Sequence, residues 1–162
     1  MRKTSSRIHA VALGFIALGL VAVAPANAQQ RARNPQVAEV RAVIEAVGAG
    51  MEAGDWESLN ELFVADRGLH IIEGAGVNHG WADYRDSHLK PELEAFENFS
   101  YQWHSIEPQV MGSTAFAAFR YDLAADTQRG HIEIEGRGTI VLEQRDGRWM
   151  VVHLHTSGRP VN

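Results

Sequence analysis

Two periodicities divide the chain. Val37, Val40, Ile44, Val47 and Met51 stand three or four positions apart, and such an apolar stripe predicts a helix. Asn34-Pro35 offers a cap and then a proline at the first helical position. Gly54 can end that helix. Asp55 can cap a second, shorter one whose apolar residues are Trp56, Leu59, Leu62 and Phe63. Asp66-Arg67-Gly68 reads as a turn and 69–73 as a short strand. The glycines at 74, 76 and 80 make the next stretch a flexible connection. A third helix is predicted from Trp81 to about Phe96, and Pro91 inside it must kink or restart it.

Beyond Phe96 the period falls to two. The alternation predicts strands over 99–110, 114–123, 131–144 and 149–157, with Asp146-Gly147 as the hairpin turn between the last two. Helix, helix, strand, helix and four strands is an α+β order.

The N-terminus follows neither period. Arg2, Lys3 and Arg7 precede an apolar run over 10–24, and Ala26-Asn27-Ala28 has the small-x-small form of a signal-peptidase site. The run is shorter than the about 20 residues that span a membrane. The expectation is a signal peptide over 1–28, a flexible leader over 29–34, one domain over 35–160, and a periplasmic or secreted protein.

Composition narrows the chemistry. The 162 residues carry eight histidines and no cysteine, which removes disulfides, thiolate metal sites and a Cys nucleophile. The formal net charge is −5, and loss of Arg2, Lys3 and Arg7 makes it more acidic. Neither nucleic acid nor an anionic membrane is an expected partner. Phosphate-binding loops, dinucleotide fingerprints, nucleophile elbows and zinc-protease motifs are absent from the sequence.

Three segments carry a resemblance. They are Glu52-Ala53-Gly54-Asp55-Trp56 with Leu62-Phe63 and Asp66, then Gly68-Leu69 through Glu73, and Asp146-Gly147-Arg148-Trp149 with Val152-His153-Leu154-His155 and Ser157-Gly158. With the element order, they make the chain resemble the nuclear transport factor 2-like, or SnoaL-like, superfamily from about Val37 to Pro160. The last segment is also similar to the association domain of calcium/calmodulin-dependent kinase II. The resemblance implies a cone: a strongly bent antiparallel sheet wrapped around three helices, with a pocket inside and no cofactor. It does not settle function, because this fold hosts isomerases, cyclases, hydrolases, binding modules and oligomerisation domains.

The resemblance places Glu73 in the pocket as a carboxylate, with Tyr84 and Arg120 pointing into the same cavity. Tyr84 and His88 stand four apart on the third helix and share a face with Trp81. Trp103 and Phe116 are candidate walls. The expected function is binding of a small molecule whose polar or anionic end Arg120 grips. One alternative is an isomerase or lyase using Glu73 or His88 as a proton shuttle. The steroid isomerases' other two polar positions correspond here to Ala46 and to the Ile140–Val141 pair, so their oxyanion donors are not kept.

The second alternative is a metal protein. His153 and His155 share one face of a strand and could chelate copper or zinc. The resemblance sets them apart from the pocket, because the position matching Thr156 lines it in the kinase association domain. Val152, Leu154 and Thr156 are expected to face the cone. His153 and His155 then face outward with Trp149 and Val151, beside Glu133, Glu135 and Arg137. A homodimer is expected through that outer face.

Overall fold

The computed structural model describes residues 35–161. The predicted signal peptide and leader lie outside the described residues. The first helix, α1 (Pro35–Ala53), buries Val40, Ile44, Val47 and Met51. Gly54 ends it with φ +64°, a left-handed conformation that glycine adopts without strain. Asp55 caps α2 (Trp56–Leu62), accepting a hydrogen bond from the Ser58 amide at 3.1 Å.

Two short strands follow, β1 (His70–Glu73) and β2 (Gly76–His79), paired antiparallel. The expected flexible connection is therefore half strand. Its sequence hid this, because Val77 is its single large apolar residue. The next helix runs as α3 (Trp81–Tyr84), a π-helical turn (Arg85–Leu89) and α4 (Lys90–Glu94). Pro91 explains the widening. It has no N–H, and its ring would strike the Ser87 carbonyl in a regular helix. The Lys90 amide reaches back to the Arg85 carbonyl, and the turn opens without breaking.

Four long strands complete the chain: β3 (Glu97–Met111), β4 (Thr114–Thr127), β5 (Gly130–Arg145) and β6 (Arg148–Pro160). The six-stranded sheet has the order β2-β1-β6-β5-β4-β3. It is mixed rather than purely antiparallel, because β1 lies parallel to β6, with Glu73 beside Thr156. The sheet is curved and carries its helices on the inner face. Glu52 of α1 ties that layer to β3 by accepting from the Tyr101 amide at 3.1 Å and from Gln102 at 2.6 Å.

The inner face holds the core. Ala115, Ala117, Phe119 and Tyr121 of β4 are buried, as are Ile140 and Leu142 of β5. Trp149 and Val151 are buried too, which corrects the expectation that they face outward. The cause is a bulge. Val141 pairs with His153 but Leu142 pairs with Val151. Val152 is the extra residue, and it reverses the parity of the strand before it.

Inside the curve the sheet is floored with glycine. A Cβ at Gly138 would overlap the Phe119 ring, and one at Gly136 the Tyr121 ring. These aromatic rings lie flat across β5 because the glycines leave the space. The Tyr121 hydroxyl extends as far as Gly158 on β6.

Candidate functional site

The half-buried polar groups of the inner face meet at the end of β1. Parity along that strand points Ile71 and Glu73 inward and His70 outward. The Tyr84 hydroxyl donates to Glu73 Oε2 at 3.0 Å. His88 Nε2 lies 3.8 Å from Glu73 Oε2 and 3.9 Å from Glu92 Oε2. The π turn contributes here: His88 sits inside it, one turn beyond Tyr84 and one turn before Glu92.

The tautomer of His88 follows from its neighbours. The Asn78 amide nitrogen donates to Asp83 Oδ2 at 3.1 Å. Asp83 also accepts the His79 amide at 3.0 Å, and these hydrogen bonds, the His79 amide foremost, hold its carboxyl below the usual range. An ionised carboxylate only accepts, so the Asn78 oxygen is turned toward His88 Nδ1, 3.1 Å away. A carbonyl oxygen also only accepts. Nδ1 therefore carries the proton, and Nε2 is left facing the two carboxylates. In an Asn78→Leu variant that preference is expected to disappear. Nitrogen NMR of the neutral ring should show one dominant tautomer in the parent and a mixture in the variant. One dominant tautomer in both would sink the assignment.

Burial raises Glu92 above the ordinary carboxyl range, the Glu73 charge adds to the rise, and His88 opposes it. A carboxyl raised in the folded state is held less easily as an anion there than in the unfolded chain. It favours folding at low pH and loses that contribution as pH rises. Glu92→Gln is thus expected to melt higher than the parent at pH 7. The gap should close below the ordinary value of 4.5, where both are uncharged. Melting curves at several pH values check this, and a gap that widens toward acid contradicts it.

Three tyrosines surround Glu73. Burial pushes the Tyr84 phenol well above its ordinary range, and the Glu73 charge adds to it. Tyr101 is raised mainly by burial. Tyr121 is pushed up to about 12, again by burial first and then by Glu73. All three stay neutral donors at any physiological pH. The Tyr101 and Tyr121 rings meet edge to face at 5.2 Å. Among the described residues, Glu73, His88 and Glu92 also bring three ligand atoms within 4.8 Å, the spacing a cation would need.

The other expected site residues lie elsewhere. Trp81 is core: it stacks on Phe63 at 4.3 Å and donates to Asn60 at 2.7 Å. Trp103 stacks on Phe119 at 4.0 Å and presses on Gly48 of α1, so it packs the wall rather than lining open space. Arg120 and Phe116 are corrections. Both alternate with the inward residues of β4 and stand on the outer face, away from Glu73. His153 and His155 are outward as parity required. There β1 places His70 beside His153, and β2 places His79 beside His70. Burial holds His153 below the ordinary imidazole range, with the His155 and His70 charges acting in the same direction. No described group of three ligand atoms within 4.8 Å includes His153 or His155.

Asn78, Glu92, Tyr101 and Tyr121 were not singled out in the sequence. Tyr101 and Tyr121 could have been found by carrying β-strand parity through β3 and β4. Asn78 could not, because its strand was not recognised.

Helices packed inside a curved mixed sheet, with carboxylates, imidazole and phenols meeting at its short edge, define a small α+β cone domain. The chain belongs to the SnoaL-like domain family, whose sequence pattern matches residues 40–162. It is thereby a member of the nuclear transport factor 2-like superfamily. None of the curated proteins matches the chain. Solved structures share the fold. A nuclear transport factor 2-like protein from Salmonella enterica aligns with TM-score 0.69 at 20% identity, covering 77% of this chain and 91% of its own. A putative ketosteroid isomerase from Shewanella frigidimarina gives 0.63 at 20% identity, covering 71% and 91%. A hexachlorocyclohexane dehydrochlorinase from Novosphingobium barchaimii gives 0.65 at 16% identity, covering 79% and 88%.

Proposed function

We propose that the cone binds a small organic molecule and moves a proton on it, in a reaction of isomerase or lyase type. One observation carries this: His88, held by Asn78 at Nδ1, turns its Nε2 toward the Glu73 and Glu92 carboxylates. Three basic positions so close can share one proton, and a site that stores a proton can take it from one atom and return it to another. Glu73 is the abstracting base and His88 the relay. Tyr101 and Tyr121 supply neutral O–H donors for negative charge that develops on the ligand. Two of the fold neighbours carry the names of enzymes, a putative ketosteroid isomerase and a hexachlorocyclohexane dehydrochlorinase.

Binding without catalysis is the coarser form of this reading and stands on the same residues. Export through segment 1–28 belongs to the proposal and places the reaction outside the cytoplasm. The test is proton exchange. Small carbonyl and halogenated compounds that bind are incubated with the protein in deuterated water and followed by proton NMR. Loss of a C–H signal with the parent, and its survival with Glu73→Gln, supports the assignment. Exchange that is equally fast with Glu73→Gln removes Glu73 from the chemistry.

A further inference from the structure

The arginine expected inside the cone has a different neighbourhood. Arg120 on β4 and Arg137 on β5 are direct cross-strand partners on the outer face. Directly opposed residues of antiparallel strands lie about 4.5–5.5 Å apart at Cα, and like charges so placed repel. Neither guanidinium takes part in any ion pair or hydrogen bond among the described residues. Nearby acids are engaged elsewhere: Glu135 holds Arg159 at 3.7 Å and Asp122 holds His104 at 3.3 Å. Glu107 lines the same cavity but pairs with neither arginine.

The two side chains border concave space. Cavities of about 390 Å³ and about 330 Å³ share Arg120, Arg137 and Ser157 as lining residues. Thr139 and His155 add a hydroxyl and an imidazole to the larger one. Small-molecule sites commonly occupy such volumes. A chain of net charge −5 does not attract anions at long range. Two exposed arginines side by side repel only modestly in water, and a dianion between them would turn that repulsion into attraction.

We propose that Arg120 and Arg137 form a second ligand site, for the dianionic oxyanion group of a small molecule. Two planar forks of N–H donors side by side match two negative charges spread over several oxygens, as in a phosphate monoester or a dicarboxylate. The hydroxyls of Thr139 and Ser157 complete the donor set. This site lies on the opposite face of the sheet from Glu73 and does not depend on the chemistry proposed there.

Calorimetry of inorganic phosphate and of succinate, each at a fixed ionic strength set with chloride, tests it. One saturable site is expected. Arg120→Gln and Arg137→Gln should each weaken it about tenfold or more, since each removes a charge-assisted hydrogen-bonding partner. Both residues are exposed, and circular dichroism checks that the variants fold. Glu73→Gln should bind as the parent does. Preference for phosphate or for succinate assigns the ligand class, and equal binding assigns the dianion itself. Absence of saturation by roughly 10 mM, a Kd range too weak for a built site, overturns the proposal. Undiminished binding in both arginine variants overturns it as well. So does sedimentation showing a dimer that Arg120→Gln dissociates and phosphate does not, because the arginines would then serve a second copy of the chain.

Discussion

Phe119→Ala is expected to lower the stability of the domain by about 3–5 kcal/mol. Phe119 is 2% exposed, its ring stacks on Trp103 at 4.0 Å, and its far edge covers Gly138. Trp103 in turn presses on Gly48 of α1. The ring is thus the middle layer between helix and sheet. Its removal opens a cavity that the glycine floor beneath cannot fill, since glycine has no side chain to move in. Domains of this kind have only about 5–15 kcal/mol in total. Urea unfolding followed by tryptophan fluorescence should show a large drop in midpoint at nearly constant slope. Phe116→Ala, on the outer face three residues away, is the control and should cost much less. Equal losses at the two positions would mean that the inner and outer faces of β4 have been misassigned.

Glu73→Gln is expected to slow proton exchange of a bound substrate about 10²–10⁴-fold while binding changes little. The substitution keeps the shape and still accepts the Tyr84 hydrogen bond, so the tyrosines and the His88 orientation survive. What disappears is the group that takes the proton. A loss confined to KM would point to a binding contact, because a base acts in the transition state and its removal lowers kcat. His88 faces the same test with a different signature. Its replacement should leave a slow residual rate, since Glu73 can still abstract but must exchange with water instead of the relay.

Much of the fold was legible in the sequence because period and face are local properties. Val40 to Met51 marked α1, and the alternation over 131–144 marked β5, where Ile140 is fully buried. The misreadings arose where a local rule was interrupted. One extra residue, Val152, reversed Trp149 and Val151. A strand with one large apolar side chain, Gly76–His79, read as a loop. The site was less legible for a different reason. Glu73, Tyr84 and His88 come from neighbouring elements and were found together. Asn78, Glu92, Tyr101 and Tyr121 join them only through packing. Arg120 followed the resemblance into the cone, while the parity of its own strand, set by Phe119 and Tyr121, sends it outward.

The glycine floor sets the depth of the cone. Tyr121 can lie flat and extend to β6, next to the strand that carries Glu73, only because Gly136 and Gly158 lack side chains. A methyl group at Gly158 would displace the phenol without touching Glu73, His88 or Glu92. Under the proposed function, cargo size and proton chemistry are therefore written in separate residues. On that reading, substitutions on β5 and β6 would change what the cone admits while the acid–base cluster stays as it is.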